Sequence, residues 1–179
     1  MVYVLLGTGF EEMEAIAPID LLRRAGISVL TAGVDGKAVT GSHGITIEAD
    51  ITLEQMDLTD LDMIVLPGGL GGVATARSSQ AALDALKFAW ENGKYVAAIC
   101  AGPTVLAELG IIGDRRATCY PGCEDAMGCA QVEHAACVTD GRLITGASAG
   151  CAVPFALALI EALKGKDEAQ RIKDQIVIR

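Results

Sequence analysis

Tyr95-Val96-Ala97-Ala98-Ile99-Cys100-Ala101-Gly102-Pro103 decides the fold of this chain. Tyr95–Ile99 has the apolar run of a buried strand. The strand stops at a cysteine, and a helix follows at once. A thiol on such a strand-to-helix turn points out of the sheet edge. It stands over the helix N-terminus, where free N–H groups and the macrodipole favour negative charge. The arrangement parallels the nucleophile elbow of serine hydrolases, with sulfur in place of oxygen. It predicts a thiol biased toward thiolate, the nucleophilic form. Pro103 suits a first helical turn, where no hydrogen bond is lost. A buried structural cysteine is the competing reading, since free Cys is among the most buried residue types.

Outward from the elbow, strand and helix patterns alternate along the chain. Residues 1–7 read as a first strand, not a signal peptide, because no charged segment precedes a long apolar one. Residues 11–25 have helical apolar spacing ending at Gly26, and Ile27–Ala32 read as a second strand closed by Gly33. Residues 36–50 suit a short hairpin or irregular excursion. Asp62–Leu66 read as a third buried strand, residues 79–92 as a helix, and residues 101–109 as the helix after Cys100. Short strands are expected over 115–146 and a long apolar helix over 150–163. A polar helix is expected over 167–175, followed by Ile176-Val177-Ile178. Strands apolar on both faces imply a mostly parallel sheet with helices on both sides. In such sheets ligands bind beyond the carboxyl ends of the strands, where strand order reverses. That rule brings together residues 8–14, 67–72 and 100–103.

Composition narrows the function. Of 179 residues, 51% are hydrophobic and 21% charged, which describes a folded globular chain with a substantial core. Aromatics are only 4%, so Ala, Val, Ile and Leu must build that core. The net charge of −9 argues against a nucleic-acid-binding face, which needs basic residues. No apolar run is long enough to span a bilayer. Cytoplasmic residence is expected. Six cysteines in a chain of this size read as reduced thiols, not as a disulfide framework.

Three groups gather around the cysteine. Pro67-Gly68-Gly69-Leu70-Gly71-Gly72 follows a strand directly, and its glycines let backbone N–H groups face a ligand. One N–H from Gly69 and another from Ala101 would make an oxyanion hole. A tight strand-to-loop turn is the plainer alternative. Glu14 sits among apolar neighbours at the start of the first helix, so it should face inward with a raised pKa. Protonated, it donates to sulfur; ionised, it acts as a base. His43 and His134 are the only histidines, and neither falls in a segment expected beside Cys100, although topology leaves His134 open. Cys119, Cys123 and Cys129, with Glu124, Asp125 and His134, have no paired C-x2-C spacing. No metal is assigned to them; packing thiols or resolving cysteines for an oxidised Cys100 are the other readings. Cys137 and Cys151 are expected in the core.

These motifs together resemble the ThiJ/PfpI superfamily, in its Parkinsonism-associated deglycase branch. The resemblance rests on Gly9-Phe10-Glu11-Glu12-Met13-Glu14, Arg23-Arg24-Ala25-Gly26, Val65-Leu66-Pro67-Gly68-Gly69 and Ala97-Ala98-Ile99-Cys100-Ala101-Gly102-Pro103. The helix Phe155–Lys166 is also similar, so the likeness runs nearly the full chain as one domain over 1–179. It implies an α/β fold: a flavodoxin-like three-layer sandwich of the class I glutamine amidotransferase type. It also implies a homodimer and no cofactor. Cys100 becomes the nucleophile or oxidation-sensitive thiol and Glu14 its carboxyl partner. Gly69 and Ala101 become oxyanion donors, and Gly68 and Tyr120 part of the pocket. Tyr120 precedes Pro121 where many members carry a His, so proton transfer falls to Glu14. Thr145–Cys151 replaces an Arg- and Pro-containing loop.

The implied activity is conversion of methylglyoxal or glyoxal to the hydroxy acid, or removal of early glycation adducts. The substrate is then a small reactive aldehyde or a glycated molecule. A non-enzymatic redox sensor or stress-response chaperone using Cys100 is the alternative. A peptidase- or amidotransferase-like hydrolase is weakened by the absence of a His next to the elbow. No residue supports a role in thiamine-precursor synthesis.

Overall fold

Val2–Leu6 forms β1, five buried residues in a row. A strand with both faces covered must lie inside a sheet between two helical layers. The computed structural model describes residues 1–178 and places β1 accordingly. In chain order the elements after β1 are α1 (Glu12–Arg24), β2 (Val29–Gly33), β3 (Ala38–Thr40), β4 (Thr46–Glu48) and β5 (Ile51–Thr52). Then come β6 (Met63–Leu66), α2 (Leu70–Ser78), α3 (Gln80–Glu91), β7 (Tyr95–Ile99) and α4 (Gly102–Glu108). The last third holds β8 (Arg116–Ala117), β9 (Gln131–Val132), β10 (Cys137–Asp140), β11 (Leu143–Gly146), α5 (Ala152–Lys164) and α6 (Lys166–Gln175).

Seven strands make the central sheet, in the order β10-β11-β7-β6-β1-β2-β5. Every pairing in it is parallel except β10 with β11. The alternation of each strand divides the core in two. Tyr3, Leu5, Ile64 and Leu66 face a layer with Val73, Ala76, Leu86 and Leu106 from α2, α3 and α4. Val2, Val4, Met63 and Val65 face Ile19, Leu22, Phe155, Ile160 and Ile172 from α1, α5 and α6. This is the three-layer α/β sandwich.

Strand order reverses between β1 and β6. β2 lies on one side of β1, and β6 and β7 follow on the other. The crevice at the carboxyl ends of β1, β6 and β7 is therefore the position at which sheets of this topology meet their ligands.

Two elements depart from the sequence reading. Leu70–Ser78 is helical, where only a glycine loop was expected, because its buried residues Gly72, Val73 and Ala76 pack onto the sheet despite weak intrinsic propensity. β5 is a two-residue edge strand, too short to leave a periodic signal. The hairpin expected within 36–50 is β3 with β4. β2 starts at Val29 because Ile27 still donates its N–H to Leu22 at the end of α1, 3.0 Å away.

Candidate active site

Cys100 follows β7 with φ of 65°, a left-handed conformation that costs a non-glycine residue about 1–2 kcal/mol. Its backbone is held from both sides. The Cys100 N–H donates to Gly146 O at the end of β11 (2.9 Å), and its carbonyl accepts from Tyr120 N–H (2.8 Å). The turn is thus forced by tertiary hydrogen bonds. The strained turn lifts the side chain off the sheet edge, where it is half-buried.

The Gly68-Gly69 turn meets α1 beside it. Glu11 N–H donates to Gly68 O (3.0 Å), while Gly68 N–H donates to Glu14 Oε2 (2.9 Å). Gly69 has φ of 86°, and a Cβ there would lie 2.5 Å from Glu11 N, so no side chain fits. The backbone N–H groups of Gly69 and Ala101 both reach the Cys100 thiol and favour its anion. The two expected donors therefore converge on the sulfur.

Glu14 lies fully buried beneath this sulfur. Its Oε1 has no satisfactory hydrogen-bond partner, although the thiol interacts with the same carboxyl. Burial pushes Glu14 up to about 7, against the lowering by Cys100 and by Gly68 N–H. This matches the expected inward, desolvated carboxyl.

The thiol corrects an expectation. The helix N-terminus was expected to lower its pKa; instead burial, and then the charge of Glu14, push it up to about 12. α4 has only seven residues and its macrodipole is small, so desolvation wins. The resting pair is thiol plus carboxyl, with Glu14 titrating first.

A cavity of about 570 Å³ opens over Cys100. Glu11, Met13, Glu14, Gly69, Leu70 and Ala101 form its wall on the α1 and glycine-loop side. Tyr120, Cys123, Ser148, Ala149 and Gly150 close the other side. Tyr120 is half exposed, and it lies where it was expected. A groove of about 640 Å³ between α5 and α6 is lined by no cysteine or histidine.

His43 also lines this cavity, contrary to the expectation that neither histidine adjoins Cys100. The β3–β4 hairpin carries it across the start of α1. Its Nδ1 lies 2.9 Å from Glu12 Oε2 and 3.3 Å from Glu11 Oε2, and its N–H donates to Glu12 Oε1 (2.7 Å). Burial opposes ionisation of Glu12, but the bonds from the His43 ring and backbone outweigh it and bring Glu12 down to about 2. Glu12 in turn raises His43 above its ordinary value. Glu11, Glu12 and His43 are the donor cluster that gathers within 4.8 Å among the described residues; Cys119, Cys123 and Cys129 form no such cluster. Cys137 and Cys151 are half-buried at the edge of the core, and burial together with Cys151 pushes Cys137 up to about 12.

Residues 1–162 match the DJ-1/PfpI family. The chain belongs to the DJ-1/PfpI family. Among DJ-1/PfpI relatives, protein dj-1beta of Drosophila melanogaster is 39% identical over 178 residues, covering 98% of this chain and 95% of that protein. A Pyrococcus abyssi protein named as a deglycase is 33% identical over 165 residues, covering 91% of this chain and 99% of its own. The structure of Toxoplasma gondii DJ-1, described as oxidized, superposes with a TM-score of 0.94 at 34% identity, covering 98% of this chain and 97% of that one. The expected family and its α/β fold are therefore both found. His43 is a cavity residue that sequence reasoning missed. Its only signal was two acidic residues, Glu11 and Glu12, with no cation nearby in sequence.

Proposed function

We propose that this protein is a cysteine-dependent, cofactor-free enzyme acting on reactive carbonyls such as methylglyoxal or glyoxal, or on their early adducts with amines. The observation that carries this reading is the strained Cys100 turn over buried Glu14, with two N–H groups facing the sulfur. Named deglycase activity in a relative that aligns over 91% of this chain supports it.

The thiol gives its proton to the Glu14 carboxylate as sulfur bonds to the aldehyde carbon. The resulting oxyanion sits where the Gly69 and Ala101 N–H groups can stabilise it. It takes back that proton, leaving a neutral hemithioacetal and a carboxylate. Glu14 then removes the proton from the former aldehyde carbon, forming an enediolate, and returns it to the neighbouring carbon while the hydroxyl proton of the former aldehyde carbon passes to the neighbouring oxygen. The product is a thioester of the hydroxy acid. Water cleaves it, regenerating the thiol, so methylglyoxal plus water becomes lactate. With a pKa near neutrality, Glu14 suits both halves of the proton transfer. The test is lactate formation by the Cys100→Ser protein: a loss of about a thousandfold or more is expected, and unchanged turnover overturns the reading.

Redox sensing is the second reading. The same N–H groups that face the sulfur would hold a sulfinate, and the oxidized state described for the Toxoplasma relative favours this. Selective dioxidation of Cys100 by mild peroxide, with negligible carbonyl turnover, would decide for it.

The chain is further inferred to act as one domain and to pair as a homodimer. The exposed Met13 and Ile16 of α1, and Ile45 beside β4, support such pairing. Among the described residues no helix is long and apolar enough to cross a membrane, and a cytoplasmic site of action is proposed.

A further inference from the structure

Cys137 and Cys151 do not line the cavity over Cys100, and neither the carbonyl chemistry nor its redox alternative uses them. The β10–β11 hairpin brings them together. Cys137 opens β10 opposite Gly146, the last residue of β11. Past that pair the Ala147 N–H donates to Ala136 O at 3.0 Å, so the two segments stay joined beyond the strand ends. The chain then turns at Ser148, whose carbonyl accepts the Cys151 N–H at 2.8 Å, and Cys151 stands just before α5. The Ser148 hydroxyl also lies 3.6 Å from the Cys151 sulfur and donates to it. Cys137 faces the layer that contains α5. Its cross-strand partner is a glycine, so no β11 side chain separates it there from the start of that helix. Burial, and then the nearby Cys151, hold Cys137 as the thiol.

We propose that Cys137 and Cys151 are a redox modification site: a dithiol that peroxide converts to a reversible disulfide, tying the start of α5 to the edge strand β10. In a reducing compartment such a pair is transient and acts as a sensor. Cys151 reacts first, because Cys137 stays protonated. The Cys151 sulfur takes one oxygen from hydrogen peroxide, becoming a sulfenic acid and releasing water. The Cys137 sulfur then attacks it and the S–O bond breaks. The departing hydroxide takes the Cys137 proton as a second water. Each sulfur gives up one electron, and the peroxide is reduced to water. A small dithiol reverses the bond by exchange. Ser148, Ala149 and Gly150 lie inside the loop that the bond closes, and they line the cavity over Cys100. Closing that loop removes open states of the segment. Oxidation of the pair therefore stiffens the cavity wall without touching Cys100.

The experiment uses the Cys100→Ser chain, so that oxidation of the elbow sulfur does not contribute. After mild hydrogen peroxide and thiol blocking, peptide mass mapping is expected to find Cys137 joined to Cys151 within one chain. The melting temperature should rise by about 5 °C or more over the dithiothreitol-treated sample. Amide hydrogen exchange over residues 148–151 should slow by about tenfold. Cys137→Ala and Cys151→Ala, each added to that chain, should abolish these changes. The mass map needs neither variant, so a variant that folds poorly leaves the test standing. Thiols that survive peroxide, a bridge from either cysteine to another thiol or another chain, or dioxidation of Cys151 with Cys137 left free would each overturn the proposal. So would a bridge that changes neither melting nor exchange.

Discussion

The Gly68 N–H donates to the buried Glu14 Oε2 at 2.9 Å, joining residues 54 apart in the chain. This bond sets the carboxyl under the Cys100 sulfur and leaves no room at position 68. A Cβ there would lie 2.4 Å from Glu14 Oε2 and 2.7 Å from Cys100 Cβ. Both members of the candidate pair are thus positioned against one glycine.

Gly68→Ala should push Glu14 and Cys100 apart. We expect it to destabilise the fold by about 1–3 kcal/mol, the usual range for overpacking. Turnover should fall further than the loss of folded protein explains, by about a hundredfold, since an ångström of misplacement at reacting groups has that effect. Urea denaturation and lactate assays on the same sample separate the two. Full activity in a folded variant would contradict the placement.

Glu14 predicts a stability that falls with rising pH. Burial raises its pKa from 4.5 to about 7, so the folded state keeps a proton that the unfolded chain releases. This contribution is fully present below 4.5 and is lost as pH rises through 7, by on the order of 3 kcal/mol. Glu14→Gln, which retains an acceptor for Gly68 without the charge, should flatten this limb in denaturation curves taken between pH 5 and pH 8. Wild-type kcat/KM should instead rise through about pH 7 as the carboxylate forms.

Glu12 has the opposite sign. Burial opposes its charge, but the His43 ring and backbone bring its pKa down to about 2. Its contribution to stability is present above 4.5 and is lost as pH falls toward 2. Glu12→Gln should therefore lower the melting temperature more at pH 6 than at pH 3. An equal shift at both values would count against the ion pair.

Cys100 should be replaceable at a gain in backbone energy. Glycine adopts φ near 65° without the penalty that cysteine or serine pays. Cys100→Gly is expected to be more stable than Cys100→Ser by about 1 kcal/mol, and both should be inactive. Thermal unfolding of the two side by side is the measurement, and a less stable glycine variant would argue against strain at the turn.

Thr145→Val tests the joint between β11 and the loop after β8. The Thr118 N–H donates to Thr145 Oγ1 at 2.9 Å, and both residues are buried. Valine keeps the volume but orphans that N–H, at a cost of about 1–3 kcal/mol. Since Tyr120 lies two residues on and holds the Cys100 carbonyl, turnover should fall too. Wild-type stability would show that water replaces the hydroxyl.

Much of the site could be read from short stretches. Tyr95–Pro103 encodes the strand, the turn and the helix locally, because apolar run, glycine and proline act within one segment. Glu14 was legible from its apolar neighbours, since a helix start at a sheet edge has only one face free. Gly69 and Ala101 followed from parallel topology, which brings loops at strand carboxyl ends together. His43 was not legible, because its partners Glu11 and Glu12 lie 31 or more residues away and only the β3–β4 hairpin closes that gap. The helix at Leu70–Ser78 was hidden for the same reason: it forms by packing, not by propensity.

By itself, then, the order of residues determined the α/β layers, the cysteine turn and the carboxyl beneath it, because each depends on period, chirality and turn chemistry acting over a few residues. Tertiary structure alone decided how the protons are held. Burial of Glu14 raises its pKa and the Cys100 thiol stays protonated beside it, while Glu12 is drawn to His43. Charge in a folded chain answers to water exclusion and to neighbours brought in from afar, and neither exists until the sheet and its hairpin have closed.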